Sequence, residues 1–174
     1  MKNLLIHKSV LILLAFSVFT CKDKDPVPDP EVETKASSFT YALETYELSK
    51  GFLVANGVNA DGVSSNYDII LLSSGINYDK VDGYTGTGHR VFLDLNVSGT
   101  GAFVPGTFSW SGIRAANKVV SGTFKVDWWV GAANFKTGTV TVAVSGSTYT
   151  IDFLMTPENQ MTVEGHYSGP LTPM

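Results

Sequence analysis

Apolar side chains recur at every second position over most of the chain after Phe39. Val91, Leu93, Leu95 and Val97 share one face of such a run, and Arg90, Phe92, Asp94 and Asn96 share the other. Val140, Val142 and Val144 alternate with threonines and Ala143, and Tyr149, Ile151 and Phe153 alternate with Thr148, Thr150 and Asp152. A strand with one face in a core and one in water needs this period of two. The same reading places strands at Phe39 to Leu48, Gly51 to Val58, Tyr67 to Ser73, Thr107 to Trp110, Val119 to Val130 and Met161 to Tyr167. Asp61-Gly62, Asp82-Gly83, Ser145-Gly146 and Pro157-Glu158-Asn159 supply turn chemistry between them. No stretch after residue 38 carries a helical period of useful length. Short strands on short loops predict antiparallel pairing, since parallel neighbours need crossovers of a dozen or more residues. Residues 39–174 are therefore expected to form a single all-β domain. The expected fold is an antiparallel β-sandwich of about 8–10 short strands, with a lipocalin-like up-and-down barrel as the alternative. The strands between Thr139 and Tyr167 are expected to form a meander.

The chain opens differently. An apolar run from Val10 to Phe19 follows Lys2, His7 and Lys8, the charged-then-apolar order of a secretory signal peptide over residues 1–20. The run is shorter than the roughly 20 apolar residues that span a bilayer. It ends at Cys21, the only cysteine in 174 residues. Lys22 to Asp25 and then Pro26, Pro28 and Pro30 follow, and this polar, proline-spaced composition over residues 21–38 describes an extended tether. Loss of Lys2 and Lys8 with the leader would leave 10 basic against 16 acidic side chains and move the formal charge from −4 to −6. Nothing in that balance, with its scattered basic residues, favours nucleic acid, and no nucleic-acid partner is expected.

Val18, Phe19, Thr20 and Cys21 resemble the lipobox of bacterial lipoproteins, with Val18 at the aliphatic position and Phe19 and Thr20 where small residues are usual. The resemblance implies cleavage before Cys21 and acylation of its thiol and new amine. Three chains would hold the protein to a membrane, because each buried methylene contributes about 0.8 kcal/mol. Ordinary secretion with Cys21 left free is the alternative, disfavoured because a solitary thiol in an oxidising compartment is a liability. Lysine and acidic residues just past the cysteine resemble the surface-export signal of Bacteroidota-type lipoproteins. A solvated spacer without sorting information is the other reading. Tyr67 to Gly75 and the tail from Gly138 through Tyr149 to Phe153 and Val163 to Tyr167 also resemble small Bacteroidota-type surface lipoproteins with a β-sandwich-like domain. This implies an outer-membrane location, lipid-anchored and facing the cell exterior, and brings no activity with it.

Motifs for catalysis are missing. His89 and His166 stand far apart without neighbouring ligands at metal spacing, and are expected to be ordinary strand-end or surface histidines. Ser109-Trp110-Ser111-Gly112 lacks the first glycine of a nucleophile elbow. Asn59-Ala60-Asp61-Gly62 looks like the start of a calcium loop, but the sixth and twelfth positions hold Ser64 and Ile70 rather than Gly and Glu. A different calcium site using Asn59, Asp61, Asn66 or Asp68 stays open. Asp68, Asp94, Asp127, Asp152 and Glu164 fall mostly on polar faces, where carboxylates are expected to serve solubility. The expectation is no enzyme, no metal and no cofactor. The binding residues are expected among aromatics that point away from the core. In the run Phe124, Val126, Trp128 and Val130, the intervening Trp129 faces out beside Lys125 and Asp127, and Phe92 faces out between Arg90 and Asp94. A patch of Trp129 and Phe92 would suit a glycan or an envelope protein. Besides the membrane reached through Cys21, those are the expected partners. A carrier of a small apolar ligand and, further behind, a hydrolase are the competing readings.

Overall fold

The structure is a computed structural model that describes residues 35–127, 133–158 and 160–174. Thr34–Met174 forms one compact unit. It is all-β: the described residues contain thirteen strands and no helix. In chain order these are β1 (Ser38–Tyr41), β2 (Glu44–Glu47), β3 (Lys50–Val58), β4 (Ser64–Leu72), β5 (Ile76–Asp79), β6 (Gly83–Gly86) and β7 (Arg90–Ser98). β8 (Gly106–Trp110), β9 (Lys118–Lys125), β10 (Ala133–Ser145), β11 (Thr148–Pro157), β12 (Val163–Gly169) and β13 (Leu171–Pro173) follow.

Eleven strands form one curled sheet in the order β13-β3-β4-β7-β9-β8-β10-β11-β12-β1-β2, and β5 and β6 form a separate two-stranded hairpin. The all-β expectation holds, but the sandwich is not confirmed: the described residues form one large half-barrel sheet and one small two-stranded sheet. Inside the curl, Phe39, Ile69, Leu71, Leu93, Leu95, Phe108, Phe135, Ile151 and Met155 are fully buried with their neighbours from the other strands. The predicted meander is present as β10, β11 and β12, paired antiparallel in sequence order.

Two pairings depart from the antiparallel expectation. β13 runs parallel to β3, and β8 runs parallel to β9. The second is compatible with a seven-residue link, Ser111–Asn117, because only Ser109 and Trp110 face Lys118 and Val119. The chain has to step back by little more than the rise of two residues, about 7 Å. The run read as one strand from Phe39 to Leu48 is in fact two, β1 and β2, folded on each other at Ala42 and Leu43.

The hairpin is fastened to the sheet by the Lys50 ammonium, whose three donors reach the Ser74 and Ile76 carbonyls at 2.9 Å each and Asn77 Oδ1 at 2.8 Å. It covers a second, smaller core of Val54, Ile70, Leu72 and Ile76, against which Phe52, Tyr78, Tyr84, Phe92 and Met174 pack.

Gly165 shows how tightly the inner face is filled. It lies between Phe39 and Phe153 in register, and a Cβ there would overlap the Phe153 ring. Gly165→Ala is expected to lower unfolding free energy by about 1–3 kcal/mol, the range for overpacking a filled core. Gly106→Ala, where a Cβ meets nothing within 4 Å, should change it by less than about 0.5 kcal/mol. Urea denaturation of both variants checks the contrast.

Candidate functional site

The outer faces of β4 and β7 are in direct register, which turns two alternating sequences into five facing pairs. Ser64 faces Ser98, Asn66 faces Asn96, Asp68 faces Asp94, Ile70 faces Phe92 and Leu72 faces Arg90. One end of this stripe is polar and the other apolar. The apolar end lies under the β5–β6 hairpin, where Phe52 meets Tyr78 with ring centroids 5.5 Å apart and Tyr78 meets Tyr84 at 4.8 Å. Arg90 closes that end by stacking its guanidinium 4.5 Å from the Tyr84 ring centroid.

The polar end is a hydrogen-bonded network with little access to water. Asp94 is 8% exposed and Asn96 is wholly buried. One carboxylate oxygen of Asp94 accepts from Asn66 Nδ2; the other accepts from Ser121 Oγ at 3.2 Å and lies 3.6 Å from the Arg114 guanidinium. Asn56 Nδ2 donates to Asn66 Oδ1 at 2.7 Å. Asn56 reaches it from a β-bulge, where the β3–β4 register shifts between Ala55 and Gly57 and Gly57 has φ 93°. Further along, Asn96 Nδ2 donates to Ser64 Oγ at 3.1 Å, and Asn59 Nδ2 donates to Asn96 Oδ1 at 2.5 Å and to Ser64 Oγ at 2.9 Å. Ser64 Oγ donates in turn to Asp61. Asp61 also accepts the Val63 and Ser64 amide N–H groups at 3.0 Å, closing the β3–β4 turn.

Two carboxylates here are held under different constraints. Burial pushes the half-buried Asp68 carboxyl above its usual range; a hydrogen bond from Asn56 opposes the rise, the Asp94 charge adds to it, and Arg114 and Lys80 draw it down. Asp61, at the exposed turn, is held below its usual range by the Ser64 hydroxyl and the Val63 amide. The rim left open to solvent is formed by Asn56, Asp68, Arg114 and Ser121. Acceptors, amide donors and a guanidinium therefore lie together beside the aromatic side chains under the hairpin. Among the described residues no group of three or more His, Cys, Asp or Glu side chains is placed to hold a metal ion.

Of the sequence-predicted site residues, Phe92 lies on this stripe, half-buried against Ile70 and the hairpin rather than freely exposed. Trp129 and Cys21 lie outside the described residues. Asn59 and Asp61 meet at Ser64, and Asn66 and Asp68 meet at Asn56, so these four side chains are engaged with other residues of the network. The expectation that carboxylates on polar faces serve solubility fails for Asp94, because covering groups arrive from the 111–117 link and from β9. Of the histidines, His89 stands at the strand end just before Arg90 of β7, as expected, whereas His166 departs from the expected surface position. His166 is buried, with Nδ1 at 2.8 Å from Asp152 Oδ1 on the adjacent strand, and Lys35 lies 3.8 Å from the same oxygen. His89 Nδ1 accepts the Asp127 N–H at 3.2 Å, and its ring packs 4.8 Å from that of Tyr46. Tyr46 is itself pushed up to about 12, first by its hydrogen bond to Glu44. Sequence reading missed Asn56, Ser64, Arg114 and Ser121. The signal for Ser64 was available, since aligning the alternating faces of β4 and β7 antiparallel places it beside Asn96.

No family model, curated protein or solved structure matches this chain.

The raised Asp68 carboxyl fixes the sign of a pH effect. A carboxylate whose folded pKa lies above its unfolded value costs stability once ionised; the cost is complete above the raised value and vanishes below the unfolded value near 3.8. Asp68→Asn should therefore be more stable than the wild type at neutral pH. The difference should shrink as pH falls through this window. Urea midpoints of the two proteins against pH provide the test, and an advantage that grows on acidification would contradict it.

Proposed function

We propose that this protein is a lipid-anchored module of the cell envelope that binds a glycan on the outer face of β3, β4, β7 and β9 and does not act as a catalyst. The observation that carries the reading is the facing pair Asp68 and Asp94, set among Asn56, Asn66 and Arg114 and continuous with the Phe92, Tyr78 and Tyr84 wall. Sugars are held by carboxylate and amide hydrogen bonds to hydroxyls together with aromatic faces against C–H surfaces. Asp94 supports binding over acid–base chemistry because three neighbours hold it as a fixed acceptor. The filled inner face gives no support to a carrier with an internal ligand. Anchoring rests on Cys21 and its lipobox resemblance, and an outer-membrane location facing the exterior rests on the tether after it. Trp129, two residues beyond Asp127, remains a second aromatic contact in this reading.

A glycan array probed with full-length wild type, Arg114→Ala and Trp129→Ala is the test. Arg114 is half exposed, so its replacement should leave the fold intact while weakening binding by about tenfold, the effect of losing one charge-assisted contact. An array without ligands, or equal binding by wild type and Arg114→Ala, would remove this face from consideration. Metabolic labelling with a clickable fatty acid, in wild type and Cys21→Ala, checks the anchor: label should enter only the wild type.

A further inference from the structure

β1 and β2 are joined by Ala42 and Leu43, both in the left-handed region with φ 52° and 70°. Hairpin turns with two positive φ values favour Asn-Gly or Asp-Gly, because a Cβ crowds the backbone there and a branched chain does so without compensation. Leu43 is moreover 93% exposed. Neither local conformational preference nor burial accounts for a leucine at this tip. Leu154 and Met161, each about half exposed, stand beside it and line an open groove of about 560 Å³ together with Tyr41 and Glu164. Among the described residues lining this groove, Glu164 alone carries charge. Glu164 lies in register between Leu154 and Thr40, at the centre of the patch.

From this we infer a second interaction surface, separate from the polar stripe: the Leu43 tip and its groove dock a protein segment that presents an apolar side chain flanked by lysine or arginine. The apolar residues supply contact area, and the Glu164 carboxylate selects a positive neighbour. A second copy fits less well, since a symmetric contact through this patch would bring two Glu164 carboxylates together. An anionic lipid surface is likewise repelled by Glu164 and by the formal charge of −4.

The test is a displayed library of short random peptides selected on the full-length protein and counter-selected on Leu43→Asn. Asparagine tolerates the left-handed conformation, so this variant should fold at least as stably as the wild type. The expected result is enrichment of peptides with an aliphatic or aromatic residue beside Lys or Arg. Their affinity should fall about tenfold in Leu43→Asn and by a smaller factor in Glu164→Gln, where the salt dependence should also weaken. No enrichment, enrichment of acidic peptides, or equal affinity for wild type and Leu43→Asn would overturn the inference. So would a dimer seen by sedimentation, or co-sedimentation with anionic vesicles, if either is abolished by Leu43→Asn.

Discussion

Two strands, β4 and β7, are buried on both faces, and the rest of the molecule answers that constraint. Their inner faces meet the core of the curl, as alternation requires. Their outer faces must also be covered along nine residues each, and the chain uses two different materials to do so. Beneath the β5–β6 hairpin the cover is apolar, with Ile70 and Leu72 against Ile76 and the tyrosines. At the other end it is polar, and there every buried donor and acceptor has to find a partner. Leaving one unpaired costs about 1–3 kcal/mol, and more for a charge. Asp94 holds the central position because it accepts from β4 and β9 and pairs with the guanidinium on the link before β9, so one carboxylate ties together segments far apart in sequence.

The pairing register serves this arrangement. Asn56, the extra residue of the β3 bulge, bonds Asn66, and unbroken pairing from Arg90–Lys125 to Asp94–Ser121 sets the Ser121 hydroxyl opposite the Asp94 carboxylate. The close packing of Phe153 on Gly165 is the equivalent device on the inner face, where a missing Cβ makes room for a ring. The fastening of the hairpin by Lys50 completes the pattern: an ammonium with all three protons engaged holds the apolar cover in place.

Much of the fold was legible in the sequence, because a period of two survives wherever one face is buried. The runs at Val91, Val140 and Tyr149 became β7, β10 and β11, and their neighbours became the meander. What was lost has physical reasons. Ala42-Leu43 carries no turn residue, so β1 and β2 read as one strand. β5, β6 and β13 are three or four residues long, too short for alternation to register. The site was less legible than the fold. Alternation assigns Asp94 and Asn96 to an outward face, but whether that face meets water depends on what folds over it, here Arg114 and Asn59, which lie outside the strand. Phe92 was singled out correctly as outward-pointing, yet a hairpin whose strands were unseen lies against it.

The remaining outer surface has a different character, and the difference bears on what each half can do. Along β10, β11, β12 and β1 the outward rows Thr141, Asp152, His166, Ser38 and Thr139, Leu154, Glu164, Thr40 run across four strands without a covering layer. His166 is buried and held by Asp152, but Thr40, Thr139, Thr141, Leu154 and Glu164 are exposed and a ligand would have to order them, so contact area rather than fixed geometry must carry any binding. In the covered half the opposite holds. Asn56, Asn66, Asp94 and Ser121 are already locked by one another, so the ordering cost is met by folding and not by association. A small polar ligand, which offers few atoms and tolerates little entropic loss, is matched to the locked half. A protein segment, which offers a long apolar contact, is matched to the open one.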